Sequence, residues 1–394
     1  MLGCHSPRLP PWSRSAQVDV MIQRPLRADV FVAGGGPAGL AAAIAARQKG
    51  FSVIVADYAR PPIDKACGEG LMPDGMAALS RLGIRLRRDQ GVPFRGIRFT
   101  TSDSSVEAEF PGGFGLGIRR TVLHESLVQR ATEAGVSIQW GARVSWLNTG
   151  EMALDGQRIE SHWIIGADGQ NSRVRKWIKL DKYRFLQERI GFRRHYRVTP
   201  WTDFVELHWG RNCQIVVTPV GPKEICLVLT STNVQLRLEE ALLQFPEIMK
   251  RLKDASTTTE ERGAISAMCS LAKVYRSRYA LVGDASGSVD AITGKGLCLA
   301  FQQALFLAEA LTKESLPHYQ TAHRRIVRLP SLMSWLMILM DNHVWLRKRI
   351  LRALITEPHI FSRLLAAHVG ALSPMGFGFR NALKMGWKLV ASPA

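Results

Sequence analysis

The stretch from Asp29 to Asp57 constrains the fold more than any other. Asp29-Val-Phe-Val-Ala33 reads as a buried strand, Gly34-Gly-Gly36-Pro37-Ala38-Gly39 as a turn, and Leu40 to Gln48 as an Ala-rich helix that Gly50 ends. Phe51 to Ala56 is a second apolar strand. Strand, glycine turn, helix and strand in this order open a doubly wound α/β sheet that holds a dinucleotide. The glycines answer separate needs: Gly34 permits the tight turn, Gly36 lets a pyrophosphate approach the backbone, and Gly39 lets helix and sheet pack closely. The helix N-terminus then faces the anion. Asp57 closes the second strand 23 residues after Gly34, where an acid accepts hydrogen bonds from the adenosine ribose.

Two later segments narrow the dinucleotide. Trp163-Ile-Ile-Gly-Ala-Asp168-Gly-Gln-Asn-Ser172 is an apolar strand feeding a polar turn. Tyr279-Ala-Leu-Val-Gly-Asp284-Ala-Ser-Gly287 is another, and Thr293-Gly294-Lys-Gly296-Leu opens a further helix. With these three ordered motifs, residues 27–320 resemble the FAD-dependent superfamily that joins aromatic hydroxylases (group A flavin monooxygenases) to geranylgeranyl reductases. The resemblance implies that Gly34, Gly36, Pro37, Ala38 and Gly39 hold the FAD pyrophosphate and Asp57 the ribose. It places Arg120 along the cofactor, Val144 at the adenine, Asp168 in the Asp-Gly motif, and Asp284 at the ribityl chain. Gly294 and Gly296 would bring amides to the flavin ring, where a helix N-terminus favours the negative charge of the reduced form.

The segment Asp64-Lys-Ala-Cys67-Gly-Glu-Gly-Leu-Met-Pro73 is similar to the Cys-Gly-x-Gly stretch of the reductase branch, as is the Thr-Gly-x-Gly-Leu turn. Cys67 is accordingly the candidate catalytic residue, with a buried structural thiol as the alternative. Lys295 stands where those reductases commonly carry Glu, and their aromatic pocket strand is matched only by Gln214-Ile-Val-Val-Thr-Pro219, which argues against a long prenyl chain and is compatible with a shorter or oxygenated substrate. No Trp-x-Trp-x-Ile motif speaks for halogenation. No second glycine fingerprint follows, so NAD(P)H, if it is the donor, must visit the flavin transiently. No residue pattern announces a general acid or base. Arg193, Arg194, His195, Tyr196, Arg197 and His208 form a basic and aromatic group that could bind an anionic substrate or an NAD(P)H phosphate. Strand alternation allows only one of its two sets to face the site.

Charge bears on partners. The 394 residues carry 52 Lys+Arg against 33 Asp+Glu, a net +19. Residues 320–394 hold eleven Lys/Arg against Asp341 and Glu357, a balance of +9. Interleaved apolar residues such as Trp335, Leu339 and Trp345 make this tail either a core-packed helical unit with a solvated basic face or a helix that lies on a membrane surface. No nucleic-acid reader motif accompanies the charge. The apolar run Leu329–Met340 is too short to span a bilayer. Six scattered cysteines form no C-x-x-C and no zinc spacing, so no metal site is expected and the compartment is reducing, the cytoplasm by default, with the membrane surface open. Residues 1–26 read as a disordered or over-extended start without a secretory signal.

These readings predict an α/β chain with a discontinuous FAD domain (27–90, 115–180 and 272–320), a β-sheet substrate domain (91–114 and 181–271) and a basic helical tail (321–394). The function expected is an FAD-dependent oxidoreductase reducing a double bond in a hydrophobic small molecule. Flavin monooxygenation and a non-catalytic, membrane-associated flavin protein are the alternatives.

Overall fold

The computed structural model describes residues 24–147 and 151–373; of the start expected over residues 1–26, residues 1–23 lie outside them, as does the end of the tail, while Leu26 already belongs to a strand. Strand Leu26–Ala33 lies at the centre of one sheet, flanked by Gln157–Gly166 on one side and Val53–Asp57 on the other, all parallel. Tyr279–Leu281 and Ser137–Trp140 extend the parallel set outward. Val30, Phe31 and Val32 are fully buried, the continuous apolar run of a strand covered on both faces. In chain order the parallel strands lie 3-2-1-4-5, so the order reverses between Leu26–Ala33 and Gln157–Gly166. A ligand crevice opens beyond the carboxyl ends of strands at such a reversal.

A second sheet runs Ser256–Thr257, Tyr183–Arg197, Glu224–Ser231, Cys213–Gly221, Phe204–Trp209, Gly96–Thr100 and Ser105–Glu109, with Arg262–Leu271 also on Tyr183–Arg197. The strand expected from Ile190 begins at Tyr183, because Arg262–Leu271 pairs along it from Leu271 to Arg262. A three-stranded sheet, Gly70–Leu71, Gly115–Gly117 and Val92–Phe94, links the two.

The helices are α1 (Pro37–Gln48), α2 (Pro73–Arg81), α3 (Arg120–Glu133), α4 (Arg173–Trp177), α5 (Leu238–Leu242), α6 (Pro246–Leu252), α7 (Gly296–Thr312), α8 (Leu316–Asn342), α9 (Val344–Thr356) and α10 (Pro358–His368). The last three fold back over the second sheet. Phe361 of α10 meets the ring of Phe99 at 4.8 Å between centroids. Arg189, 1% exposed, donates to Thr230 Oγ1 at 2.6 Å and reaches Asp341 of α8 at 3.5 Å. No helix of the described residues is long and apolar enough to cross a membrane.

Candidate active site

The glycine turn is built by close approach. Gly34 has φ +117, and a Cβ there would lie 2.4 Å from the Ala167 carbonyl oxygen; one on Gly39 would lie 1.8 Å from that of Gly34. Gly39 therefore sits behind the turn, packing α1 on the sheet. A Cβ on Gly36 would meet nothing within 4 Å, because this residue faces open cavity at the first turn of α1. Asp57 fastens the turn: its two carboxylate oxygens accept from the amides of Gly35 at 2.6 Å and Ala59 at 2.8 Å. Each oxygen keeps lone-pair capacity for a ligand hydroxyl.

From this turn a cavity of about 1080 Å³ runs through the molecule. Gly34, Gly36, Pro37, Ala38, Asp57, Cys67, Arg120, Val144, Asp168, Asp284, Gly294 and Gly296 all line it; of the residues that the resemblance assigned to the cofactor, Gly39 alone does not. The carboxylate of Asp168 is committed to its own turn, accepting from Ser172 Oγ at 2.5 Å and from the amides of Arg173 and Val174, which caps α4. Asp284 faces Lys65 across 3.5 Å, both partly exposed to the cavity. At the other end, Gly294 has φ +64 and Gly296 begins α7, whose N-terminus opens on the cavity. Lys295 points away from it, buried in an ion pair with Asp74.

Beyond α7 the cavity becomes an apolar chamber. Val205, Leu207 and Val216 come from the second sheet, Met337 and Met340 from α8, and Leu354 from α9. This wall was missed in the sequence, although Met333, Leu336, Met337 and Met340 recur at helical spacing and line it. His368 at the end of α10 lines it too, its Nε2 at 3.0 Å from the Thr293 carbonyl beside the Gly294 turn. Burial above all, then the nearby Lys295, pushes His368 down to about 4, so the neutral ring donates this bond.

Most of the basic group on Tyr183–Arg197 and Phe204–Trp209 is already paired with acids, against the sequence reading of an anion site. Arg193 and His195 are fully buried, and each has an acidic partner. Arg193 grips both oxygens of Asp64 at 2.7 and 2.8 Å, and His195 Nε2 lies 2.6 Å from Glu69 Oε2. Arg194 pairs with Glu239 and Glu261, and His208 with Glu206, the acid that the pattern had not flagged. An arginine can only donate, so Arg193 Nη1 at 2.8 Å from His195 Nδ1 leaves the ring proton on Nε2, aimed at Glu69.

Glu69 itself was overlooked between the glycines that carry the motif. It lines the cavity with φ +56, a left-handed conformation that costs a non-glycine residue about 1 kcal/mol and is found at functional sites. Its other oxygen accepts from the Arg120 amide at 2.9 Å, and its amide points at Cys67 Sγ, 3.4 Å away. Cys67 is half-buried at the cavity wall. Glu69, His195 and Cys226 bring three ligand-type atoms within 4.8 Å of one another. Burial pushes the Cys226 thiol well up, however, and the Glu69–His195 hydrogen bond occupies the other two, so the cluster is built to hold a proton rather than a cation.

The doubly wound sheet, the glycine turn at its strand reversal and the cavity along its carboxyl ends define a dinucleotide-dependent oxidoreductase fold. The residues present fit FAD, because the open space over Gly36 and Gly296 is what a pyrophosphate and a flavin ring need to reach the backbone. The chain belongs to the FAD binding domain family, which matches residues 27–316. It is an FAD-dependent oxidoreductase.

Among known proteins it is 26% identical over 324 residues to the menaquinone reductase of Mycolicibacterium smegmatis, covering 75% of this chain and 79% of that one. It is 28% identical over 328 residues to the 3-hydroxybenzoate 6-hydroxylase of Polaromonas naphthalenivorans, covering 74% and 81%. A solved flavoprotein/dehydrogenase from Cytophaga hutchinsonii has the same fold, with a TM-score of 0.79 at 18% identity over 92% of this chain and 98% of that one.

Proposed function

We propose that this protein reduces a carbon–carbon double bond in a hydrophobic small molecule, with electrons that NAD(P)H delivers through FAD. The observation that carries the reading is the continuity of one cavity, polar and glycine-lined at the dinucleotide end and apolar beyond the N-terminus of α7. The similarity to a menaquinone reductase supports it. Gly36, Pro37, Ala38 and the N-terminus of α1 would hold the pyrophosphate, Asp57 the adenosine ribose, Val144 the adenine, and Asp284 the ribityl chain. Arg120 lies along the same path, and Asp168 shapes the turn that closes over it.

When bound, FAD would supply the redox chemistry, a hydride for an activated double bond or, with oxygen, hydroxylation. The chain's own part is position and proton supply. Gly294 and Gly296 present backbone amides at the positive end of α7, which favours negative charge there. The chamber excludes water and holds the substrate by its apolar surface. Glu69 accepts from His195 Nε2, and Cys67, whose Sγ accepts from the Glu69 amide at the cavity wall, is the candidate to hand a proton to the substrate. A hydroxylase reading is favoured by the similarity to 3-hydroxybenzoate 6-hydroxylase.

The test is turnover of a prenylated naphthoquinone and of 3-hydroxybenzoate with NADH or NADPH, followed by product mass. A gain of two hydrogens in the naphthoquinone side chain bears the proposal out. A gain of one oxygen replaces it with hydroxylation. Loss of NAD(P)H at the same rate with and without either compound refutes both.

A further inference from the structure

We propose that the outer face of α8 and α9 docks on an anionic lipid bilayer, so that the apolar chamber is filled from the membrane. The two helices have two unlike faces. Inward, Met333, Leu336, Met337 and Met340 of α8 and Ile350 and Leu354 of α9 line the chamber. Outward, Arg325, Arg328, Leu332 and Trp335 on α8, then Trp345, Lys348, Arg352 and Ile355 on α9, recur every three or four residues and are exposed. Leu332 is 55% exposed, Trp335 47% and Trp345 56%, values that a soluble helix surface seldom concentrates within so few turns.

Charge selects the occupant. Between Leu316 and Thr356 the chain has seven Lys/Arg, of which only Arg347 is buried, and one acid, Asp341. That acid points inward, where it accepts from Gln214 Nε2 at 3.0 Å and faces Arg189. The outer face is therefore cationic and apolar together. Tryptophan and leucine flanked by arginine and lysine are what a helix presents when it lies in the headgroup region. A nucleic-acid face would not expose leucine and isoleucine beside its cations. The helices do not span the bilayer, since none of the described ones is apolar enough. With the chamber directly beneath this face, a lipid-soluble substrate crosses one helix layer to reach it without entering bulk water. This last point rests on the function proposed above; the docking itself does not.

The experiment is co-sedimentation of the FAD-loaded protein with vesicles of phosphatidylcholine alone or mixed with phosphatidylglycerol, using wild type, K348E/R352E and W335S/W345S. All four changed residues are exposed, and unaltered flavin absorbance and melting temperature verify that the variants are folded. Wild type should bind the mixed vesicles and lose binding as salt is raised. K348E/R352E should bind them at least about 30-fold more weakly, given about fivefold per basic residue near the surface. W335S/W345S should lose roughly tenfold at any salt.

Wild type that binds neither vesicle, binds both equally, or self-associates through this face instead overturns the docking. A second readout separates the two proposals: turnover of a prenylated naphthoquinone embedded in the mixed vesicles against turnover of a water-soluble short-chain prenylated naphthoquinone. K348E/R352E should lose the first and keep the second. If wild type performs neither, the proposed reaction fails while the vesicle result stands on its own; if both variants keep vesicle-borne turnover, entry from the membrane is overturned.

Discussion

Replacing Gly36 and Gly39 by alanine, one at a time, separates cofactor binding from folding within a single turn. Gly36 has φ −71 and ψ 176, an extended conformation open to any residue, and its added Cβ would touch no protein atom within 4 Å. Gly36→Ala should therefore leave the apo protein as stable as wild type, or steadier by about 0.5 kcal/mol through its less flexible unfolded chain. The same methyl stands in the space where a pyrophosphate must meet the α1 amides. Losing that approach should weaken FAD at least about 100-fold, which is about 2.7 kcal/mol.

Gly39→Ala is the counterpart. Its Cβ lies 1.8 Å from the Gly34 carbonyl oxygen, so α1 must retreat by about 1.6 Å to reach an ordinary 3.4 Å contact. In a close-packed core such a shift costs several kcal/mol, and this variant should melt early with or without cofactor. The assay is apo melting temperature beside an FAD titration followed by flavin fluorescence. A Gly36→Ala protein that binds FAD like wild type would refute the placement of the pyrophosphate. One that unfolds would refute the claim that the space is empty of protein.

Two further outcomes follow from the chamber and its helices. Leu354→Trp projects a larger ring into the chamber from α9 and should raise KM for a bulky hydrophobic substrate roughly tenfold with flavin content unchanged, read by steady-state kinetics and absorbance; an unchanged KM would move the substrate elsewhere. His323 and His368 are both pushed by burial from 6.5 to about 4, which makes the neutral rings part of the folded state. Their contribution is complete above pH 6.5 and is lost as pH falls toward about 4, so melting temperature should drop across that window and drop less in the His323→Gln/His368→Gln double variant.

The dinucleotide half of the site was legible because its chemistry demands residues adjacent in sequence. Gly34 to Gly39 and Asp57 lie within one strand–turn–helix–strand unit, and backbone approach to an anion leaves glycine as the only choice at fixed spacing. The chamber was not legible, because its wall is assembled from the second sheet and three helices far along the chain, and the individual apolar residues look like any core. The Arg193 group misled for a related reason. Whether a buried cation recruits a ligand or merely neutralises an acid depends on Asp64 and Glu69, more than a hundred residues upstream, and no local pattern announces that pairing. Glu69 was hidden in plain view, since a carboxylate between two glycines reads as turn filler until its left-handed backbone and its histidine partner are seen.

The bond from His368 to the Thr293 carbonyl gives the molecule an order of assembly. Every strand of the parallel sheet, and the whole of α7, precedes α8 in the chain. A polypeptide leaving the ribosome completes the dinucleotide crevice while the three helices that wall the chamber are still to be made. During that interval the crevice is an open-sided dock, and a flavin can settle on the glycine turns from the side. α10, the last helix among the described residues, then brings its terminal imidazole to the turn beside Gly294 and completes the chamber wall on that side.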